Sequence, residues 1–269
     1  MSIKQKIDIQ IANPAGNITV FVRTRAERDD YTKIATQILE QFKEAEQVAF
    51  IKEKPSSIDA LGRMEMSGLE FCGNASRTFA LLTAKENGLN GELEIPVEVS
   101  GIDEILNVKI NTETNFTKIK MPNPLGVIEY EYDGIKSKAV DFGGIFHVIL
   151  KNIDLDMNLF EKIKDDVNQK FNPPAMGVMF WDENNRKLKP VVYVKDIDTT
   201  YLEGSCGSGT TALSCAMGLE RADGEHHFTV MQPAGTIDSS VVIENGKVKE
   251  VFIEGPVSLS DVIETEIEI

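Results

Sequence analysis

The sequence holds only three cysteines, three histidines and one tryptophan in 269 residues. The cysteines, Cys72, Cys206 and Cys215, are odd in number and widely spaced, which argues against a disulfide framework and excludes a CxxC redox pair. Positive charge is scarce too. With 28 basic against 43 acidic residues the formal charge is −15, a field that opposes nucleic acid or an anionic membrane surface as partner. No stretch approaches the run of about 18 apolar residues that spans a bilayer. Met1–Lys6 leads into a strand pattern without the apolar block of a signal peptide, so the expected compartment is the cytoplasm. Gly-rich phosphate loops of the dinucleotide or Walker type are missing, and zinc held by two cysteines plus His147 would lack any close-spaced ligand pair. Neither pattern points to a bound nucleotide or to zinc.

What is present reads as a globular chain, 42% apolar and 26% charged. Ile7, Ile9 and Ile11 alternate with polar residues as a half-buried strand does. The turn Asn13-Pro14-Ala15-Gly16-Asn17 interrupts it, and Ile18 to Val22 resumes. The spacing predicts a helix over 29–43, capped by Asp29 or Asp30, with Ile34, Ile38, Leu39 and Phe42 on one face. A strand over 48–51 and a helix over 75–87, stopped by Gly88, follow. Short strands are expected at 92–99, 105–110 and 116–121, each bounded by Gly, Pro or Asn.

Pro122-Asn123-Pro124 marks a boundary, after which the order of elements recurs. Strands cover roughly 127–151, a helix runs from about 158 to 171, and strands include 178–181 and 191–194. A buried helix spans about 208–220, strands return at 228–231 and 239–243, and the Asn245-Gly246 hairpin is answered by 248–253. His226 and His227 read as surface residues of a polar turn, and Cys215 as a buried structural thiol.

Each half opens its most apolar helix with a Cys-Gly pair, Cys72-Gly73-Asn74-Ala75 and Cys206-Gly207-Ser208-Gly209. The two are 134 positions apart, about half the chain, as in a diverged internal repeat. The expected architecture is therefore α+β in two domains rather than a doubly wound sheet.

A cysteine at a helix start meets unpaired amides and the positive end of the helix dipole, which together should lower the thiol pKa from about 8.5 towards neutrality. The same amides can hold a carboxylate, and the following glycine leaves room for a ligand. Two such sites across a cleft would place a base on one face of a stereocentre and an acid on the other, as inversion requires. The α-proton of an amino acid is so weakly acidic that the site must be dry, with donors aimed at the carboxylate as it turns enolate-like. The amides of Gly73, Asn74, Gly207 and Ser208 suit that task.

With Gly16-Asn17, Glu70-Phe71-Cys72-Gly73-Asn74-Ala75, Arg77, Gly143 to His147, Ser205-Cys206-Gly207-Ser208-Gly209-Thr210 and Gln232-Pro233-Ala234-Gly235, the chain resembles the diaminopimelate epimerase superfamily over nearly its whole length. The resemblance implies two pseudo-symmetric domains, each a curved mixed or antiparallel sheet wrapped around a central helix, with the active site between them. It places the halves at 1–123 and 124–256, with a C-terminal strand at 257–269 rejoining the first. It also implies catalysis without pyridoxal phosphate or metal, and homodimers are common in the superfamily.

The substrate side departs from that pattern. Diaminopimelate epimerases carry Glu-Arg-Gly before the second cysteine; here Asp198 to Glu203 contains no arginine. Glu65-Met66-Ser67-Gly68 replaces an asparagine-rich stretch, and Gly143-Gly144-Ile145-Phe146-His147 replaces Gly-Asn-Pro-His. Losing a cation and two amides disfavours an anionic side chain. Asn13 to Asn17, Glu46-Gln47-Val48, Met66-Ser67-Gly68 and Glu203 are closer to the cofactor-independent histidine racemases of the superfamily.

That resemblance implies Cys72 and Cys206 as the acid–base pair and Asn17, Gly73, Asn74, Ala75, Gly207 and Ser208 around a small amino-acid substrate. Glu46 would accept from an imidazole, Glu203 would hold the α-ammonium, and His147 would brace the carboxylate or a thiol. Glu46 also reads as a solvated glutamate at a helix end, His147 as a satisfied core histidine, and the asparagines as turn residues. A diaminopimelate or lanthionine-type epimerase and a non-catalytic amino-acid-binding protein on the same fold are the alternatives.

Overall fold

The computed structural model describes residues 4–268. The fold is α+β and rich in mixed sheet, and the chain divides into two compact units. One comprises the residues up to Lys120 together with those from Glu254 on, and the other Met121–Ile253.

In the first unit, β1 (Lys4–Asn13) pairs antiparallel with β2 (Thr19–Val22). Helix α1 (Tyr31–Gln41) then crosses over to β3 (Gln47–Lys52), which runs parallel to β2. β4 (Gly62–Met66) returns antiparallel to β3, and α2 (Gly73–Glu86) carries the chain to β5 (Glu92–Val99), parallel to β4. β6 (Leu106–Asn111) and β7 (Phe116–Met121) close the run as antiparallel hairpins.

The second unit begins with β8 (Gly126–Tyr132), β9 (Ile135–Asp141) and β10 (Ile145–Lys151), an antiparallel meander. Helix α3 (Met157–Lys170) crosses to β11 (Ala175–Asp182), parallel to β10. β12 (Lys187–Val194) and β13 (Thr199–Leu202) follow antiparallel. Helix α4 (Gly207–Gly218) leads to β14 (Gly224–Gln232), which meets β12 in parallel at Lys187 and Met231. β15 (Gly235–Glu244) pairs antiparallel with β14, and β16 (Lys247–Pro256) comes next. The last strand, β17 (Ser258–Glu268), pairs with β1 of the first unit over most of its length.

The four helices are of two kinds. α1 and α3 are amphipathic and bury one stripe: Ile34, Ala35 and Ile38 beneath α1, and Phe160, Ile163 and Val167 beneath α3. α2 and α4 are buried on all sides, continuously from Gly73 to Ala84 and from Gly209 to Ala216. α2 packs against β4, β5 and β6, and α4 against β9, β10, β11, β14 and β15. A helix so enclosed needs narrow residues, and its hydroxyls turn back onto its own carbonyls. Ser76 and Thr78 donate to Cys72 O and Asn74 O; Thr210, Thr211 and Ser214 donate to Cys206 O, Gly207 O and Thr210 O.

Several expectations need correction. α1 starts two residues late, after a short 3-10 turn over Arg28–Asp30, and neither Asp29 nor Asp30 caps it through its side chain. Asp30 sits at the N-cap position with helical rather than extended backbone angles, from which its carboxylate does not reach the first-turn amides. His226 and His227 lie in β14 rather than in a turn, because pairing with β15 extends back to Gly224. Their side chains are half-buried and exposed, respectively. Among the described residues no helix is long and apolar enough to cross a membrane, and no group of three or more His, Cys, Asp or Glu is placed to hold a metal ion.

Candidate active site

Both Cys-Gly cysteines are helix N-caps. Cys72 has extended backbone angles of φ −127° and ψ 111°, and its sulfur accepts from Ala75 N at 3.4 Å. Cys206 has φ −122° and ψ 111°, and its sulfur accepts from Gly209 N at 3.2 Å. A Ser, Thr, Asp or Asn oxygen normally makes this contact. A sulfur there receives the amide and stands at the positive end of the helix, while the amides of the two residues after each cysteine remain without intrahelical partners.

Around Cys72 the first unit gathers polar side chains. The sulfur lies 3.0 Å from Gln47 Oε1 and 3.9 Å from Asn17 Oδ1. Asn17 is buried and donates from Nδ2 to Glu46 Oε2 at 2.7 Å, so Cys72, Asn17 and Glu46 form one chain. The turn before β2 sets Asn17 in place: Asn13 Oδ1 accepts from Gly16 N at 2.6 Å. Glu46 is exposed, yet its carboxylate is tied into the site.

Gln47 went unassigned on sequence, although it belongs to the Glu46-Gln47-Val48 segment. Its amide carries an acceptor for a thiol and a donor for a thiolate. Arg77 is fully buried, and its Nε donates to Asn74 Oδ1 at 3.1 Å. Burial pulls the Arg77 guanidinium down to about 10, and the Cys72 sulfur opposes that fall; the side chain stays cationic at neutral pH.

Around Cys206 the second unit places Ser208, His147, Glu203 and Gln232. Ser208 Oγ lies 3.4 Å from the sulfur and 2.9 Å from His147 Nε2. His147 is fully buried, and burial lowers its pKa to about 3, so the ring is neutral. Its Nδ1 has no hydrogen-bond partner among the described residues. Gln232, which also escaped assignment although it lies in Gln232-Pro233-Ala234-Gly235, accepts from Cys206 N at 2.8 Å and donates to Thr210 Oγ1 at 3.0 Å. It fastens the residue before the helix to the helix's first turn.

The thiol expectation is overturned at Cys206. Burial, and after it the charge and hydrogen bond of Glu203, push its pKa well above the usual thiol value, outweighing Ser208 and the Gly209 amide. Cys206 is a protonated thiol at neutral pH. Cys215 is buried inside α4, and burial alone pushes it up to about 12.

Glu65 belongs elsewhere. Its buried carboxylate accepts from Arg28, Arg63 and Tyr31 at 2.6–3.0 Å, so it is an ion-pair centre of the first unit rather than an acid of the Cys72 cluster.

Comparison with known proteins adds to this geometry. Residues 6–262 match the family described as the histidine racemase CntK N-terminal domain. A histidine racemase of Fusobacterium nucleatum subsp. nucleatum is 36% identical over 265 residues, 95% of each chain. A histidine racemase of Staphylococcus aureus is 27% identical over 242 residues, covering 87% of this chain and 88% of that one. Among solved structures, a hydroxyproline epimerase from Agrobacterium vitis with bound trans-4-OH-L-proline superposes with a TM-score of 0.66 at 12% identity, covering 99% of this chain and 94% of its own. At that identity the likeness speaks to the fold alone.

Proposed function

The chain belongs to the histidine racemase family and is an amino-acid racemase, and from that premise we propose that it interconverts L- and D-histidine through Cys72 and Cys206 without a cofactor. The observation that carries the cysteine assignment is the matched pair of N-caps. Each sulfur accepts the third amide of a helix buried on every side, and each is followed by glycine. The strand pairings support two pseudo-symmetric halves, 1–123 and 124–256 with 257–269 rejoining the first. The order antiparallel, parallel through a helix, antiparallel, parallel through a second helix occurs in both. In this reading one cysteine removes the substrate α-proton and the other returns a proton to the same carbon.

The proton balance is simple. The Cys72 thiolate takes the α-proton, leaving a thiol and an enolate-like substrate whose negative charge spreads onto the carboxylate. The amides of Gly73, Asn74, Gly207 and Ser208 stabilise that charge. The Cys206 thiol delivers its proton to the opposite face and becomes the thiolate. The resting arrangement suits this order, since Glu203 and burial keep the proton on Cys206. The enantiomer formed reacts back from the exchanged state. Glu203 holds the α-ammonium and Glu46 accepts from the imidazole.

The test is turnover of each histidine enantiomer in deuterated water with chiral analysis. Product should carry α-deuterium, and Cys72→Ser or Cys206→Ser should each abolish racemisation, because serine keeps the shape but not the acidity. Racemisation surviving in either variant would overturn the cysteine assignment. Exchange of diaminopimelate but not of histidine would overturn the substrate, and tight histidine binding with no exchange at all would mark a binding protein.

A further inference from the structure

Arg77 is the largest fully buried side chain of the protein, and the mechanism above leaves it without a role. Its hydrogen bonds go to neutral groups: Nε to Asn74 Oδ1 at 3.1 Å, and Nη1 to Thr117 Oγ1 at 2.8 Å and Gly255 O at 2.9 Å. Nη2 is buried without a hydrogen-bond partner among the described residues. A guanidinium taken out of water is costly to bury unless an opposite charge compensates it, and none of these partners carries one.

The direction of the side chain points to the compensating group. Side chains on a helix lean towards its N-terminus, and the bond from Arg77 to Asn74, three residues earlier, follows that lean. The guanidinium therefore reaches back over the first turn of α2, the turn that Cys72 caps. From the adjoining elements, the Cys72 sulfur meets the amide oxygens of Gln47 and Asn17, which accept from the thiol form, and behind Asn17 lies the acidic Glu46. Glu46 opposes a negative sulfur. Arg77 favours one.

We infer that Arg77 is a positioning residue of the active site, the buried counter-ion that holds Cys72 as a thiolate while its Nε pins the Asn74 amide oxygen and leaves the Asn74 Nδ2 donors for the substrate. The inference rests on the two-cysteine reading and deepens it. It sets apart two cysteines of the same N-cap geometry: a buried cation reaches back over the turn that one of them caps, and an acid, Glu203, stands by the other. The pair is thereby set with one proton, as a two-base inversion needs.

The test uses the full chain with Cys206→Ser and Cys215→Ser, so that Cys72 is the one remaining thiol, and follows thiolate formation by ultraviolet absorbance against pH. Arg77→Met should raise the Cys72 midpoint by about one unit or more, and Arg77→Lys should recover most of that shift. Should Arg77→Met not fold, Asn74→Asp serves instead. It gives the guanidinium a carboxylate of its own, keeps the packing and should raise the midpoint similarly. With both cysteines restored, Arg77→Met should lower kcat at least about tenfold with a smaller change in KM.

An unchanged midpoint in Arg77→Met, or in Asn74→Asp where the first does not fold, overturns the inference. If the midpoint stays while Cys72→Ser still abolishes racemisation, the counter-ion role fails alone. If Cys72→Ser racemises normally, it is the two-cysteine reading that fails, and this inference with it.

Discussion

His147 Nε2 stands 2.9 Å from the hydroxyl of Ser208, and that hydroxyl lies 3.4 Å from the sulfur of Cys206. The buried imidazole is neutral, and an unpaired lone pair on Nδ1 costs less than an unpaired N–H would. The favoured tautomer therefore donates from Nε2 to Ser208, whose own hydrogen turns to the sulfur. Ser208→Ala removes the donor that eases thiolate formation on Cys206. Because the two enantiomers have equal free energy, kcat/KM must fall by the same factor, about tenfold, from either side, but washout of the α-proton should slow chiefly from the enantiomer that Cys206 deprotonates. Equal slowing of washout from both enantiomers would contradict the assignment.

The same histidine makes the fold acid-sensitive. Its folded pKa, about 3, lies below the ordinary value of 6.5, so the unfolded chain binds a proton that the folded one refuses. The contribution is complete above about pH 6.5 and is lost progressively as pH falls towards 3. His147→Gln should flatten chemical-denaturation stability across that window while leaving the slope below it in place.

Glu65 contributes to that remaining slope, alongside other carboxylates whose pKa is lowered, among them Asp166 and Asp223. Arg28 chiefly, with Arg63 and Tyr31, holds the Glu65 carboxyl at about 2 against burial. The stabilisation is present above the unfolded carboxyl range, near 4.5, and disappears as pH falls through about 2. Glu65→Gln leaves two guanidinium groups facing a neutral amide, and partly exposed Arg28 can turn to water. The expected cost at neutral pH is about 2 kcal/mol, read from urea denaturation. Racemase activity per folded molecule should change little, because Glu65 touches none of the Cys72 cluster.

How far the sequence revealed these features depended on whether the signal was local. The Cys-Gly pairs stood out because a cap and its glycine are sequence neighbours, and α2 and α4 start within two residues of the expected positions. β4, Gly-Arg-Met-Glu-Met, and β13, Thr-Thr-Tyr-Leu, passed unread. The first lacks β-branched residues, and the second is too short to show alternation. The 3-10 turn that displaces Asp30 from capping geometry left no trace in composition. The role of Glu65 and the rise of the Cys206 pKa depend on which charges burial brings together: Arg28 is 37 positions from Glu65 along the chain. Gln47 and Gln232 sat inside segments already singled out, but only the fold shows their amides turned to Cys72 Sγ and Cys206 N.

Cys215 tests the claim that helix position, rather than cysteine itself, makes the chemistry. It lies within α4, wholly buried, with its thiol pushed up to about 12 by burial. Cys215→Ala should keep racemisation within about twofold and cost about 1 kcal/mol for the small cavity. Alkylation of the native enzyme should spare Cys215 until the chain unfolds, since its sulfur is neither accessible nor a thiolate. Labelling of Cys215 at the rate of Cys72, followed by mass spectrometry, would contradict this.

Gly209 offers the finest probe of the Cys206 cap. A Cβ there would collide with Met179 Sδ and stand 3.1 Å from the Cys206 sulfur. The methionine is flexible and can move aside, so Gly209→Ala should fold with a modest loss in thermal stability. The methyl cannot leave the sulfur, however, and the displaced thioether repacks against the same helix turn whose amide reaches Cys206 Sγ at 3.2 Å. Racemisation should fall at least about tenfold, since a small misplacement of a reacting group costs rate out of proportion to stability. Gly218→Ala is the control, because its Cβ would meet Val241 Cγ1 at 2.6 Å, at the far end of the same helix. It should lower stability by as much or more while leaving kcat of the folded enzyme nearly intact, and a loss of kcat in Gly218→Ala equal to that in Gly209→Ala would mean that α4 as a whole, not its cap, governs the rate.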